Sequence, residues 1–275
     1  MRIVIAIGLL AVCVAAPSLG AGQADPVNRE KLDELLDLYV RDGYVYYRAL
    51  KAERGKLDAF VASLAGVSIE SAPPNERMAF WLNAYNAIVL RTVIDHYPIQ
   101  QRTTTYPARS IRQIPGAFER TQHRVAGRMI TLDQIEQDML SAFHDPRLYF
   151  ALGRGAVGSG RLRSETFSPD AVERQLVEAA AECANHAQCL EIDRTARRVM
   201  VSSIFSWRSD GFIAAYAGAS PAAFASRSPI ERAVLAFVEP KLLASEKELL
   251  LQTAFTVAFR PFDWALNDLT GRGAR

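Results

Sequence analysis

Apolar residues recur at helical spacing over Lys31–Arg41, where Leu32, Leu35, Leu36 and Tyr39 share one stripe, and Asp42-Gly43 ends the run. The short aromatic and β-branched stretch Tyr44-Val45-Tyr46-Tyr47 predicts an extended segment, and Arg48–Leu64 returns to helical character. Pro73 and Pro74 lead into a helix predicted over Glu76–Tyr97 and stopped by Pro98. Leu82, Tyr85, Val89 and Val93 lie on one of its faces, and Trp81 and Ile88 widen that face, so the helix should be central and heavily buried. Gln101–Arg120 is polar and broken by Pro107, Pro115 and Gly116, the pattern of an irregular surface loop.

Further along, His123-Arg124-Val125 and Met129-Ile130 flank an Ala126-Gly127-Arg128 turn and predict a tight hairpin. Thr131 and Gln134 are spaced as a capping box at the start of a helix. Leu148–Leu152 reads as a compact buried strand followed by the glycine-rich stretch Gly153–Gly160. Ser168-Pro169 predicts the start of a helix through Glu182, and Leu190–Ile192 with Arg198–Val201 predicts a second hairpin. Helices from about Ile204, Pro229 and Ser245 and a last strand over Ala254–Ala258 complete the pattern. The expected class is α+β: one helix-rich domain over residues 28–270 with a small, mainly antiparallel sheet.

Met1-Arg2, the apolar run Ile3–Ala16 and the small residues that follow have the layout of a secretory signal over residues 1–21, and predict a secreted or periplasmic protein. Leu10-Ala11-Val12-Cys13 outlines a lipoprotein signal, but Val12 is the wrong residue before a lipidated cysteine and the apolar run continues past it. No later stretch approaches the roughly 20 apolar residues of a membrane span. Thirty-two basic against 30 acidic residues give no concentrated positive charge, which argues against nucleic acid as a partner. Without a signal peptide the cysteines reduce to Cys183 and Cys189, and a disulfide between them should contribute about 2–3 kcal/mol through its short loop.

Chemistry is harder to place. The glycine-rich stretch lacks both the Walker and the dinucleotide-binding spacings, so no cofactor is expected from it, and Ser159 sits in Gly-Ser-Gly rather than in a full nucleophile elbow. Asn83 and Asn86, three apart in an otherwise apolar helix, need partners if buried, and tying down neighbouring backbone, such as the irregular loop after Tyr97, is the simpler use for them than lining a cleft. His96, His123, His144 and His186 show no i,i+4 pairing, and no metal site is expected.

The chain resembles the secreted bacterial branch of the domain of unknown function 547 family. The likeness is carried by Tyr39–Gly43 with Val45 and Tyr47, by Ala79–Ala87, by Ser110-Ile111-Arg112, and by Thr131-Leu132-Asp133 with Ile135-Glu136. It continues through Asp145–Arg147, Phe150–Leu152, Ser202–Trp207 and Phe262-Asp263-Trp264 with Leu266-Asn267. It implies a shared site between the Asn83/Asn86 helix and the glycine-rich loop, with Tyr47, Asn83, Tyr85, Asn86, Glu136 and Arg154 as binding candidates. The departures bear on activity. Gln137 stands where the resemblance expects His, Arg154 and Ser159 stand where it expects Cys, Gly160 replaces Pro, and Tyr46 replaces Asp.

A Cys–His pair is the pattern of thiol-based acyl chemistry, and both members are replaced. Two readings follow. One is a non-catalytic binding domain for a small molecule or peptide. The other is a hydrolase using Ser159 as nucleophile with Glu136, His123 or His144 as base, which requires the base within about 2.6–3.2 Å of the hydroxyl.

Overall fold

The computed structural model describes residues 29–252 and 254–271, so the expected signal peptide and Cys13 lie outside the described residues. Within them the chain is a helix-rich α+β structure, 52% helical and 10% strand. Its N-terminal part runs from α1 (Arg29–Tyr39) through the two-residue strands β1 (Val40–Arg41) and β2 (Tyr44–Val45) to α2 (Tyr47–Ala52) and α3 (Gly55–Ser63). The central helix α4 (Pro74–His96) buries every residue from Ala79 to Leu90, and α1, α2 and α3 pack around it or one another. A continuous 12-residue buried stretch means that α4 is covered on all sides, not amphipathic.

After the irregular segment come the hairpin β3 (His123–Val125) and β4 (Arg128–Ile130), then the helical turn α5 (Leu132–Gln134). Thr131 and Gln134 form the capping box the spacing predicts, with Gln134 N donating to Thr131 Oγ1 and Thr131 N to Gln134 Oε1. The helix does not continue regularly. Ile135–Leu140 is a widened π-type turn and Ser141–Phe143 a tight 3-10 turn. Such widened turns cost regular hydrogen bonding and are enriched where a side chain must be aimed.

The C-terminal half contains α6 (Val172–Ala184), β5 (Leu190–Asp193), β6 (Arg198–Ser202), α7 (Ile204–Trp207), α8 (Ser209–Tyr216), α9 (Pro229–Val238), α10 (Ala244–Gln252) and β7 (Thr256–Arg260). Phe150, Phe205, Phe212 and Phe237 meet at its centre, their ring centroids 4.7–5.8 Å apart.

Four local readings change. Leu148–Leu152 is no strand. Pro146–Phe150 forms a 3-10 helix, because Pro146 fixes the first helical φ and the Asp145 carboxylate accepts from Arg147 N at 3.0 Å. Tyr47 leaves the extended stretch and opens α2, since only Tyr44 and Val45 find a strand partner in β1. The helix expected from Ser168-Pro169 begins at Val172, Ser168 O being used by a turn to Ala171 N and Val172 N. The last strand is Thr256–Arg260 and pairs with β6 in parallel, whereas the other strand pairs among the described residues are antiparallel. The long helical excursion from β6 to β7 is the crossover that parallel pairing requires.

Candidate functional site

α4 organises the site through two amides one turn apart. Asn83 Nδ2 donates to Phe167 O at 2.8 Å while its Oδ1 accepts from Phe167 N at 2.9 Å. Asn86 Nδ2 donates to Ala151 O at 3.1 Å while its Oδ1 accepts from Gly153 N at 2.8 Å. Each buried side chain thus satisfies backbone as a neighbouring strand would. Asn86 clamps the start of the glycine-rich segment, and Asn83 holds the chain at Phe167, beyond its end. The sequence reading anticipated backbone ties of this kind but placed them on the loop after Tyr97.

Within the segment, glycine serves packing. Gly155 adopts φ +64°, the left-handed region that Gly enters without penalty. A Cβ on Gly160 would lie 1.7 Å from Phe150 O, so only Gly lets the two backbones meet there. Ser159 Oγ accepts a hydrogen bond from Arg154 N at 2.9 Å.

The widened turn after α5 delivers Glu136 into the interior. Its Oε1 is 2.8 Å from Arg154 Nη2 and 2.6 Å from Arg208 Nη2, and Tyr85 Oη donates to Oε2 at 3.3 Å. The side chains of Glu136 and Arg154 are only 8% and 4% exposed. Arg154 Nη1 also donates to Tyr149 O at 3.2 Å, and the Arg208 guanidinium lies 4.8 Å over the Tyr149 ring. Burial pushes the Glu136 carboxyl up, but the two guanidinium groups outweigh it and hold the group below the usual carboxylate range. Burial and then the Glu136 charge drive the Tyr85 phenol well above its ordinary value, so it remains a neutral donor. Glu136 is consequently an ionised acceptor with its oxygens occupied, the opposite of a free base.

The other binding candidate, Tyr47, is fully buried and donates to Asn267 Oδ1 at 2.7 Å. All six binding candidates therefore use their polar groups on the protein itself. The structure brings Tyr85, Glu136 and Arg154 into one cluster with Arg208 and Tyr149, while Asn83, Asn86 and Tyr47 anchor backbone around it.

Gln137 and Ser159 face different spaces. Gln137 is exposed and lines a hollow of about 460 Å³ with Glu119, Gln122, Asp133 and Asp138. Ser159 lines a hollow of about 320 Å³ together with Gly160, Arg161, Glu182 and His186. Among the described residues no imidazole or carboxylate hydrogen-bonds the Ser159 hydroxyl. His123 lies on β3 and His144 caps the 3-10 turn at φ +54°. Cys183 and Cys189 are at disulfide-bonding distance, their Cα atoms 5.1 Å apart, and both border the same hollow as Ser159.

Residues 69–182, from the approach to α4 through most of α6, match the family model described as "Protein of unknown function, DUF547". Over this segment the chain is similar to that family. No curated protein and no solved structure matches the chain. The DUF547 segment holds both amide clamps, Glu136, Arg154 and Ser159, whereas Arg208 reaches the cluster from outside it. Sequence spacing could not flag Arg208, which lies 72 residues from its partner. Among the described residues no group of three or more His, Cys, Asp or Glu could hold a metal, and no helix is long and apolar enough to cross a membrane.

Proposed function

We propose that the chain is a secreted, non-catalytic binding domain of the DUF547 family. The observation that carries this reading is Arg154: at a position where the resemblance expects a cysteine stands a buried guanidinium, paired inward to Glu136 at 2.8 Å. An arginine cannot act as a nucleophile, and its ion pair occupies the carboxylate of Glu136, one of the bases the hydrolase reading requires. The ligand is a small molecule or peptide held in the 320 Å³ hollow, whose size falls in the usual range for such sites. Backbone of Gly158–Gly160 forms part of its wall, Phe150 and Ile204 give it apolar surface, and Arg161, Glu182 and His186 supply polar contacts.

A second reading, an acyl hydrolase using Ser159, is favoured by one observation: Ser159 and His186 border the same hollow. A serine-reactive fluorophosphonate probe separates the two. The binding domain is expected to remain unlabelled at Ser159. Stoichiometric labelling that disappears in Ser159→Ala would establish the hydrolase instead.

A further inference from the structure

Two hollows meet along one wall. The 320 Å³ hollow and a smaller one of about 20 Å³ share Ser159, Gly160, Arg161 and His186, and the smaller one extends to Asp42 and Tyr44. The larger is lined by Phe150, Ala179, Ile204 and the Cys183–Cys189 bridge, all of them buried. Arg161 and Asp42 instead stand in solvent, their side chains 43% and 90% exposed. The resulting crevice is apolar inside and charged at its mouth.

Its charge is not balanced. The carboxylates lining it are Glu182 and Asp42, and a single guanidinium serves both: Arg161 Nη1 is 3.2 Å from Glu182 Oε1 and Nη2 is 3.1 Å from Asp42 Oδ1. Both contacts are longer than the about 2.7–2.9 Å of a close charge-assisted bond. Glu182 Oε2 is buried with no hydrogen-bond partner, a costly state for a carboxylate oxygen. A glutamate carboxylate turns readily about its last bond, so a donor arriving from the hollow can exchange the two oxygens and meet the unused one. Gln188 N donates to His186 Nδ1 at 3.4 Å, a bond that only the unprotonated nitrogen accepts, so this imidazole adds no fixed positive charge.

We propose that the crevice takes a small primary amine, its apolar body against Phe150, Ile204 and the disulfide and its ammonium donating to Glu182 at the mouth, with Asp42 adding attraction. An ammonium brings three donors and the missing positive charge. A carboxylate ligand would face two like charges, and an alcohol would leave the surplus negative charge in place. The inference rests on the reading of this hollow as the ligand site and names the ligand's chemistry.

The test titrates the purified chain at neutral pH with n-hexylamine, 1-hexanol and hexanoate, followed by calorimetry and by the backbone amide shifts of residues 158–160 and 183–189. Hexylamine is expected to bind at least about tenfold more tightly than hexanol, the size of one hydrogen bond to a charged group. Glu182→Gln keeps the shape and should erase that margin. Arg161→Met removes the competing cation and should tighten hexylamine binding, whereas it would weaken that of a carboxylate. Leu243→Ala, at an exposed leucine outside the crevice, should change nothing. Circular dichroism establishes that each variant is folded. If no probe moves these amides, the ligand site and the amine fall together. If hexanol or hexanoate binds there as tightly as hexylamine, or if hexylamine is indifferent to Glu182→Gln, the hollow stands as a ligand site and the amine alone is overturned.

Discussion

Arg154 Nη2 lies 2.8 Å from Glu136 Oε1 in a region where both side chains are almost fully buried. Burying two charges is costly, and their attraction with further hydrogen bonds must offset it; here Arg208, Tyr85 and Tyr149 supply those bonds. The pair fills the centre of the DUF547 segment with fixed charge where a reactive group would need freedom to exchange a proton.

Removing one partner should therefore hurt more than removing both. Arg154→Met is expected to cost about 3–5 kcal/mol by leaving Glu136 ionised and poorly compensated. Arg154→Met combined with Glu136→Leu should recover a substantial part of that loss. Urea denaturation of the two single variants and the double variant measures the coupling, and additive losses would contradict it.

His123 gives the fold a pH dependence of calculable sign. Burial, and then the Arg91 charge, hold its imidazole below the ordinary range, and its Nε2 is buried without a partner. The folded state thus prefers the neutral ring. Stability should be level above the unfolded value of about 6.5 and fall as pH drops beneath it, because the unfolded chain takes up a proton the native chain resists. His123→Asn should flatten the difference between pH 7 and 5 in chemical denaturation.

Asn86 uses both ends of its amide on the glycine-rich segment. Asn86→Leu keeps the volume but strands Gly153 N and Ala151 O, each worth about 1–3 kcal/mol when left buried and unsatisfied. Amide hydrogen exchange at Gly153 should accelerate well beyond the effect of the same change at exposed Gln137.

Gly160 tolerates no side chain, since a Cβ would collide with Phe150 O. Gly160→Ala should cost at least about 1–3 kcal/mol through forced backbone displacement. Gly127→Ala meets no neighbour within 4 Å and is limited to the strain of its φ of +74°. A larger loss at Gly160 than at Gly127 is the expected order of midpoints.

Cys183 and Cys189 close a short loop between α6 and β5. Replacing both by Ala should lower stability by about 2–3 kcal/mol under oxidising conditions. The difference should vanish when the native protein is reduced before unfolding.

Features specified by neighbours in sequence were legible before any coordinates. The α4 run, the Thr131–Gln134 capping box and the hairpins at Gly127 and between β5 and β6 all rest on contacts within a few residues. The need of Asn83 and Asn86 for backbone partners followed from their place in an otherwise apolar helix, but spacing says nothing of which segment packs there, and the clamps reach Ala151–Gly153 and Phe167 rather than the loop after Tyr97. Leu148–Leu152 was misread because a five-residue apolar run suits a strand and a tight helix equally, and Asp145-Pro146 decides the matter through capping. The Glu136–Arg208 bond and the packing of the Arg112 guanidinium over the Trp264 ring join residues far apart in the chain, so no local pattern announces them.

Residues 263–268 fasten elements made long before them. Tyr47 Oη donates to Asn267 Oδ1, Asn267 Nδ2 to Gly43 O, Tyr97 Oη to Asp268 Oδ2, and Val157 N and Gly158 N to Ala265 O and Asp263 O. During vectorial synthesis every one of these acceptors or donors waits for a strap translated at least 105 residues later. The nascent chain therefore stays incompletely latched while it emerges, and it locks only when the strap arrives.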